Sequence, residues 1–99
     1  MAERRIVRRP HAEADLIEIW LHIALDSPLA ADRQIDRIGE RIIRLALFPE
    51  MGVARPDIAE GVRVLSVPPF LVLFQVDSDK VEIVRIVHGA RDLPSIDLS

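Results

Sequence analysis

The chain contains no cysteine and no tyrosine, one lysine, one tryptophan and three phenylalanines in 99 residues. Without cysteine it can form no disulfide, no iron–sulfur cluster and no thiolate zinc site. That composition is compatible with the cytoplasm. His11, His22 and His88 lie in separate segments, with no His-Glu-x-x-His motif and no Asp-rich calcium loop, so no metal is expected. No glycine-rich loop follows a strand and opens a helix, so a nucleotide fold and its cofactor are excluded. A serine nucleophile would need an elbow motif or a basic neighbour, and only Ser66 with His88 offers a faint version. No apolar run approaches the roughly 20 residues that span a bilayer, and Met1-Ala2-Glu3-Arg4-Arg5 is not followed by a signal-peptide core. No membrane partner is expected.

What is present suits one small domain over 1–99 with a single modest core. The apolar fraction is 49%, a little high for this length, and a surface covered by a partner would account for it. The net charge is −3, but the start is basic at Arg4, Arg5, Arg8 and Arg9. Lys80 is the only cation that is not an arginine, and arginine is the residue that pairs in a fixed plane with carboxylate or phosphate. With a net negative charge and no broad basic stripe, tight nonspecific nucleic-acid binding is not expected, and direct sequence-specific nucleic-acid binding is not expected either.

Ile6 and Val7 predict a short first strand ended by Pro10. From His11 to about Leu25, residues Ala12, Leu16, Ile19, Trp20 and Ile23 recur at helical spacing, and Glu13, Asp15, Glu18 and His22 fall mainly on the wet side. Ser27 can cap a second helix with Pro28 in its first position. Its stripe is Ala31, Ile35, Ile38, Ile42 and Leu45, and Phe48-Pro49 ends it. The link between the helices is too short for anything but an antiparallel hairpin. Residues 50–60 read as a loop. Three β-like runs follow, 62–67, 70–76 and 81–87, joined by Pro68-Pro69 and by Asp77-Ser78-Asp79, which predicts an antiparallel meander. The fold class is α+β: an N-terminal strand, a helical hairpin, then a three-stranded sheet packed on the helices.

If Pro68-Pro69 and Ser78-Asp79 are the turns, Val67 faces Phe70, Leu65 faces Val72, Arg63 faces Phe74, Phe74 faces Ile83 and Val72 faces Arg85. One face then carries Arg63, Leu65, Val67, Phe70, Val72, Phe74, Ile83, Arg85 and Val87. The other carries Val62, Val64, Leu71, Leu73, Val84 and Ile86. Both are apolar, and the helices can cover only one. The other stays open, with two arginines in apolar surroundings. A slip of one residue at either turn would change these partners.

The candidate functional residues are Arg63, Arg85, His88 and Arg91, because the last strand ends in the run Val87-His88-Gly89-Ala90-Arg91-Asp92. Arginines can stabilise a phosphorane-like transition state and histidine can move protons, so RNA cleavage is conceivable. A permanently protonated arginine, however, makes a poor acid or base. Each residue also has a structural reading. Arg63 could pair with Glu82 or a loop acid, Arg85 could snorkel to the sheet edge, His88 could satisfy backbone carbonyls and Arg91 could pair with Asp92.

In the ordered set Ala14-Asp15-Leu16-x-x-Ile19, Ser27-Pro28-x-x-Ala31, Leu45-x-x-x-Pro49-x-x-Gly52, Gly61-Val62-Arg63-Val64-Leu65 and Val87-His88-Gly89-Ala90-Arg91-Asp92, the chain resembles the ParE/RelE toxin superfamily. It is most similar to the ParE toxins of bacterial type II toxin–antitoxin systems. The resemblance covers nearly the whole chain. It implies a toxin without enzymatic activity that inhibits DNA gyrase, touching it through Arg63, Arg85, His88 and Arg91. It also implies a ParD-like antitoxin that wraps the toxin in a hetero-oligomer, seated on the open face at Leu65, Val67, Phe70, Val72 and Phe74 with acidic residues toward Arg63 and Arg85. RelE-like members instead cleave mRNA in the ribosome, often with a C-terminal tyrosine, which is missing here. An inactive toxin that retains only antitoxin binding is the remaining alternative.

Overall fold

A computed structural model describes residues 3–99. The chain runs β1 (Arg5–Arg8), α1 (Pro10–Ala24), α2 (Pro28–Arg44), a 3-10 turn (Pro49–Met51), β2 (Val53–Ala54), β3 (Arg63–Val67), β4 (Phe70–Val76), β5 (Lys80–His88) and a last 3-10 turn (Leu93–Ser95). The strands form one sheet in the order β1-β5-β4-β3-β2. The α+β class, the helical hairpin and the antiparallel meander are therefore as expected. Two features are additional. β1 joins the meander as a parallel neighbour of β5, and β2 forms inside the segment expected to be a loop.

Local signals set the helix ends. Ser27 Oγ accepts the Ala30 N–H at 3.1 Å and Pro28 opens α2, so a donor that the helix leaves unpaired is satisfied. Pro10 opens α1 after a single linking residue, Arg9, whose backbone is extended. The hairpin is tied across by Trp20, which is half-buried and donates from Nε1 to Asp32 Oδ1 at 2.8 Å.

The meander keeps the expected β3–β4 register, from Val67 opposite Phe70 to Arg63 opposite Phe74. The β4–β5 register changes partway. Phe74 faces Ile83 as expected, but Leu73 faces Arg85 and Val72 faces Ile86. One extra residue on β5 forms a bulge, and every side chain beyond it changes face. The expected Val72–Arg85 pairing is corrected accordingly. Ile86 turns toward the helices, Val87 turns away from them, and Arg85 leaves the helix-covered face for the sheet edge beside α1.

The two faces are covered differently from the expectation. Leu65, Val67, Val72, Phe74, Val81, Ile83 and Ile86 pack against Ala12, Ile38, Ile42 and Leu45 of the helical hairpin and its end. Each fully buried side chain of this size contributes about 1.5–3 kcal/mol. The face expected to stay open for an antitoxin is thus the one under the chain's own helices. Leu65, Val67, Val72 and Phe74 are 0–2% exposed and present no surface to a partner, while Phe70 and Arg63 stay half-buried. The opposite face is not open either. Val62, Val64, Leu73 and Val87 are covered by Leu93, Ile96 and Leu98 of the C-terminal segment and by Ile58 and Ala59.

Two arginines hold that segment in place. Arg85 Nη1 donates to the Asp97 carbonyl at 2.7 Å and Arg9 Nη1 to the Leu98 carbonyl at 2.8 Å. Arg9 also pairs with Glu82 at 2.8 Å and reaches Gln75 Oε1. Glu82 consequently has a pKa below the ordinary carboxylate value, chiefly through the Arg9 hydrogen bond.

Candidate functional site

The strand order decides where the site forms. β1 pairs with β5 only as far as Arg8 opposite Ile83, and α1 begins two residues later. Beyond Ile83 the outer edge of β5 has no strand beside it, and α1 takes that place. Asp15 supplies what the ladder lacks, since its Oδ2 accepts the Ile86 N–H at 2.9 Å. A buried backbone donor left without a partner would otherwise be costly.

The same carboxylate holds Arg85. Nε donates to Asp15 Oδ2 at 2.7 Å and Nη2 to Oδ1 at 3.0 Å, the paired geometry favoured between guanidinium and carboxylate. Both side chains are 7% exposed. With Nη1 on the Asp97 carbonyl, Arg85 links α1, β5 and the C-terminal segment. Its pKa is raised, first by the Asp15 hydrogen bonds and despite burial. Arg85 therefore turns inward and is engaged by the protein itself. It does not snorkel to the rim.

Around this pair lies a cleft of about 280 Å³ between α1 and the end of β5. Glu18, Ile19 and His22 line it from α1, and Phe70, His88 and Arg91 from the sheet side. Three of the four expected residues, Arg85, His88 and Arg91, meet here, with Arg85 sealed in the floor. Arg63 does not join them. It sits on β3, donates through Nη2 to the Gly52 carbonyl, and lines separate clefts with Val76. Its buried Nε meets no acceptor among the described residues. The expected Arg63–Glu82 pair is replaced by Arg9–Glu82.

His88 reverses its expected hydrogen-bond role. Its Nδ1 accepts the Ala90 N–H at 3.1 Å instead of donating to a carbonyl. A neutral ring then carries its proton on Nε2. Phe70 meets the ring edge-on, 5.8 Å away and at 81°. Arg91 is exposed at the cleft and belongs to none of the ion pairs among the described residues, so the Arg91–Asp92 pair is not formed. Among the described residues, no group of three or more His, Asp or Glu side chains is placed to hold a metal ion.

Sequence reasoning missed Asp15, assigning it to the wet side. The available signal was a lone acid between Ala12 and Ile19 on the inner arc of α1, together with an arginine in an apolar strand that needed a counter-charge. It also gave Glu18 and His22 no role in a cleft. Chemically, the arrangement offers a fixed imidazole, a free guanidinium and an aromatic wall, which suits recognition. It offers no cluster of free arginines around a proton carrier.

This fold, with its hairpin laid over a five-stranded sheet, is the scaffold of a known class of small bacterial toxins. The family described as the ParE toxin of type II toxin–antitoxin systems, parDE, matches residues 6–93. Toxin ParE3 of Caulobacter vibrioides is 31% identical over 90 residues, covering 90% of each chain. Toxin RelE2 of the same organism is 40% identical over 81 residues, covering 81% of this chain and 89% of the relative. Among solved structures, the chromosomal ParDE system of P. aeruginosa contains a chain that superposes with a TM-score of 0.75 at 29% identity, covering 87% of this chain and 96% of that one. The chain belongs to the ParE/RelE toxin superfamily and, within it, to the ParE toxins of type II toxin–antitoxin systems.

Proposed function

We propose that this protein arrests growth by inhibiting DNA gyrase and that a ParD-like antitoxin neutralises it in a cytoplasmic hetero-oligomer. The observation that carries the choice over mRNA cleavage is the state of the two strand arginines. A nuclease centre needs free cationic groups beside a proton carrier, where charge develops on the phosphate. Here Arg85 is closed on Asp15 and the Asp97 carbonyl, and Arg63 lies in other clefts, bonded to Gly52. His88 is left with one exposed guanidinium, Arg91, near it. That pair suits contact with a protein better than phosphoryl chemistry, which supports the non-enzymatic reading. Membership in a family described by the name parDE supports the same direction.

In this reading His88 and Arg91 face the target, and Phe70 and Arg63 remain accessible to the antitoxin, whereas Leu65, Val67, Val72 and Phe74 are withdrawn from contact. The test is a timed induction in growing cells, with and without the antitoxin gene. DNA synthesis should stop before protein synthesis, with a DNA-damage response, and co-expressed antitoxin should abolish both effects. Codon-positioned mRNA cuts and an earlier loss of translation would overturn the proposal in favour of a nuclease. An unaltered growth curve would identify an inactive toxin.

A further inference from the structure

Helix α1 is apolar on two sides. Its inner arc, Ala12, Leu16 and Ile19, belongs to the core. Its outer arc carries Ile17 at 61% exposure, Leu21 at 56% and, one residue past the helix, Leu25 at 85%. Ala14 is exposed and Ala24 half-buried on the same side. The positions 14, 17, 21 and 24 alternate steps of three and four, the spacing by which one helix meets another. The outer arc is about 16 Å long, roughly three turns. Leu29, 59% exposed, continues the apolar surface at the start of α2. Isolated apolar residues on a surface need no explanation, but a row at seam spacing does.

The charges beside the row limit what can cover it. α1 contains Glu13, Asp15 and Glu18 and no lysine or arginine. Asp15 is buried on Arg85. On the flanks of the outer row are Glu18, which belongs to none of the ion pairs among the described residues, and Glu13, which meets Arg8 only at 3.6 Å with both side chains well exposed. A second copy of this chain brings no cation on its own α1, and a parallel pairing would set Glu13 of one helix against Glu18 of the other. We infer that the outer face of α1 is a docking surface for an amphipathic helix of a partner protein, with small and branched apolar residues at three–four spacing and lysine or arginine beside them. This surface adjoins the cleft at the end of β5, with Glu18 on the border of both, and the inference does not rest on the gyrase reading.

The test uses the purified full chain and two synthetic helical peptides of about 18 residues. Both carry the same leucine and alanine seam. One has lysine at the flanking positions and the other glutamate. Fluorescence anisotropy should show the lysine peptide binding roughly tenfold more tightly at low salt. Leu21→Asp should abolish the binding while the thermal melt of the chain stays unchanged, because Leu21 is outside the core. Glu18→Lys should narrow or reverse the preference between the peptides. Equal binding of the two peptides, binding that survives Leu21→Asp, or no binding at all would overturn the inference. So would a dimer in sedimentation equilibrium that Leu21→Asp dissociates, because the surface would then belong to a second copy.

Discussion

At the scale of single residues, the contact between Asp15 and Arg85 governs the behaviour of the site. Two charges that are each 7% exposed are tolerable only together. Arg85→Met should leave an unpaired carboxylate indoors and cost about 3–5 kcal/mol in urea denaturation. The double variant Asp15→Leu with Arg85→Met should recover much of that, but not the share due to the Ile86 N–H, which loses its acceptor. Two glycines make a contrasting pair. A Cβ at Gly52 would lie 2.3 Å from the Phe74 ring, which is fully buried and cannot yield, so Gly52→Ala should destabilise by about 1–3 kcal/mol. At Gly39, within α2, a Cβ meets nothing within 4 Å, so Gly39→Ala should stabilise by about 1 kcal/mol. The same denaturation curves check both.

At the scale of elements, what the sequence reveals depends on how local the signal is. The helix ends were legible because Ser27, Pro28 and Pro10 act on their own neighbours. The β3–β4 register was legible because two residues separate the strands. The bulge between Ile83 and Arg85 was not, because no glycine or proline marks it and the run is uniformly β-forming. That single inserted residue moved Arg85 from an expected open face to the α1 edge, and with it the reading of the site. The parallel β1–β5 pairing and the C-terminal cover were equally invisible, since both join distant parts of the chain and neither follows a spacing rule. The cover and its anchor lead to a pH expectation. Glu82, paired with Arg9, and Asp97, held by Ser99 and near Arg85, both have lowered pKa values in the folded protein. A depressed native pKa adds stability that is complete about one unit above the unfolded carboxylate values of roughly 4, and is lost as pH falls through the native value. Thermal stability should therefore be flat from neutral to about pH 5 and fall below it. Glu82→Gln should be less stable at neutral pH and show a shallower acid limb.

At the scale of the whole molecule, both faces of the sheet are covered by the chain itself, the helices on one side and the C-terminal segment on the other. The surplus of apolar residues noted in the sequence is therefore mostly off the sheet. It is on α1 and around the end of α2, where Ile43, Leu47 and Phe48 are 44–65% exposed, while the sheet contributes Val53 of its short edge strand β2. Removing the cover should show how far the sheet depends on it. Ile96→Asp places a charge over Val62, Leu73 and Val87, and should expose apolar surface to a dye such as ANS and raise protease sensitivity. No helix of the described residues is long and apolar enough to cross a membrane. Recognition at the cleft and along α1, with the strand arginines kept for internal bonds, is the account that the arrangement supports.

The measurement that bears most directly on that account is DNA supercoiling by purified gyrase in the presence of this protein. Supercoiling should fall with added toxin, cleaved DNA should accumulate, and prior addition of the antitoxin should restore activity. His88→Ala with Arg91→Ala should weaken the inhibition without lowering the melting temperature. Full supercoiling at a large excess of folded protein would contradict the account.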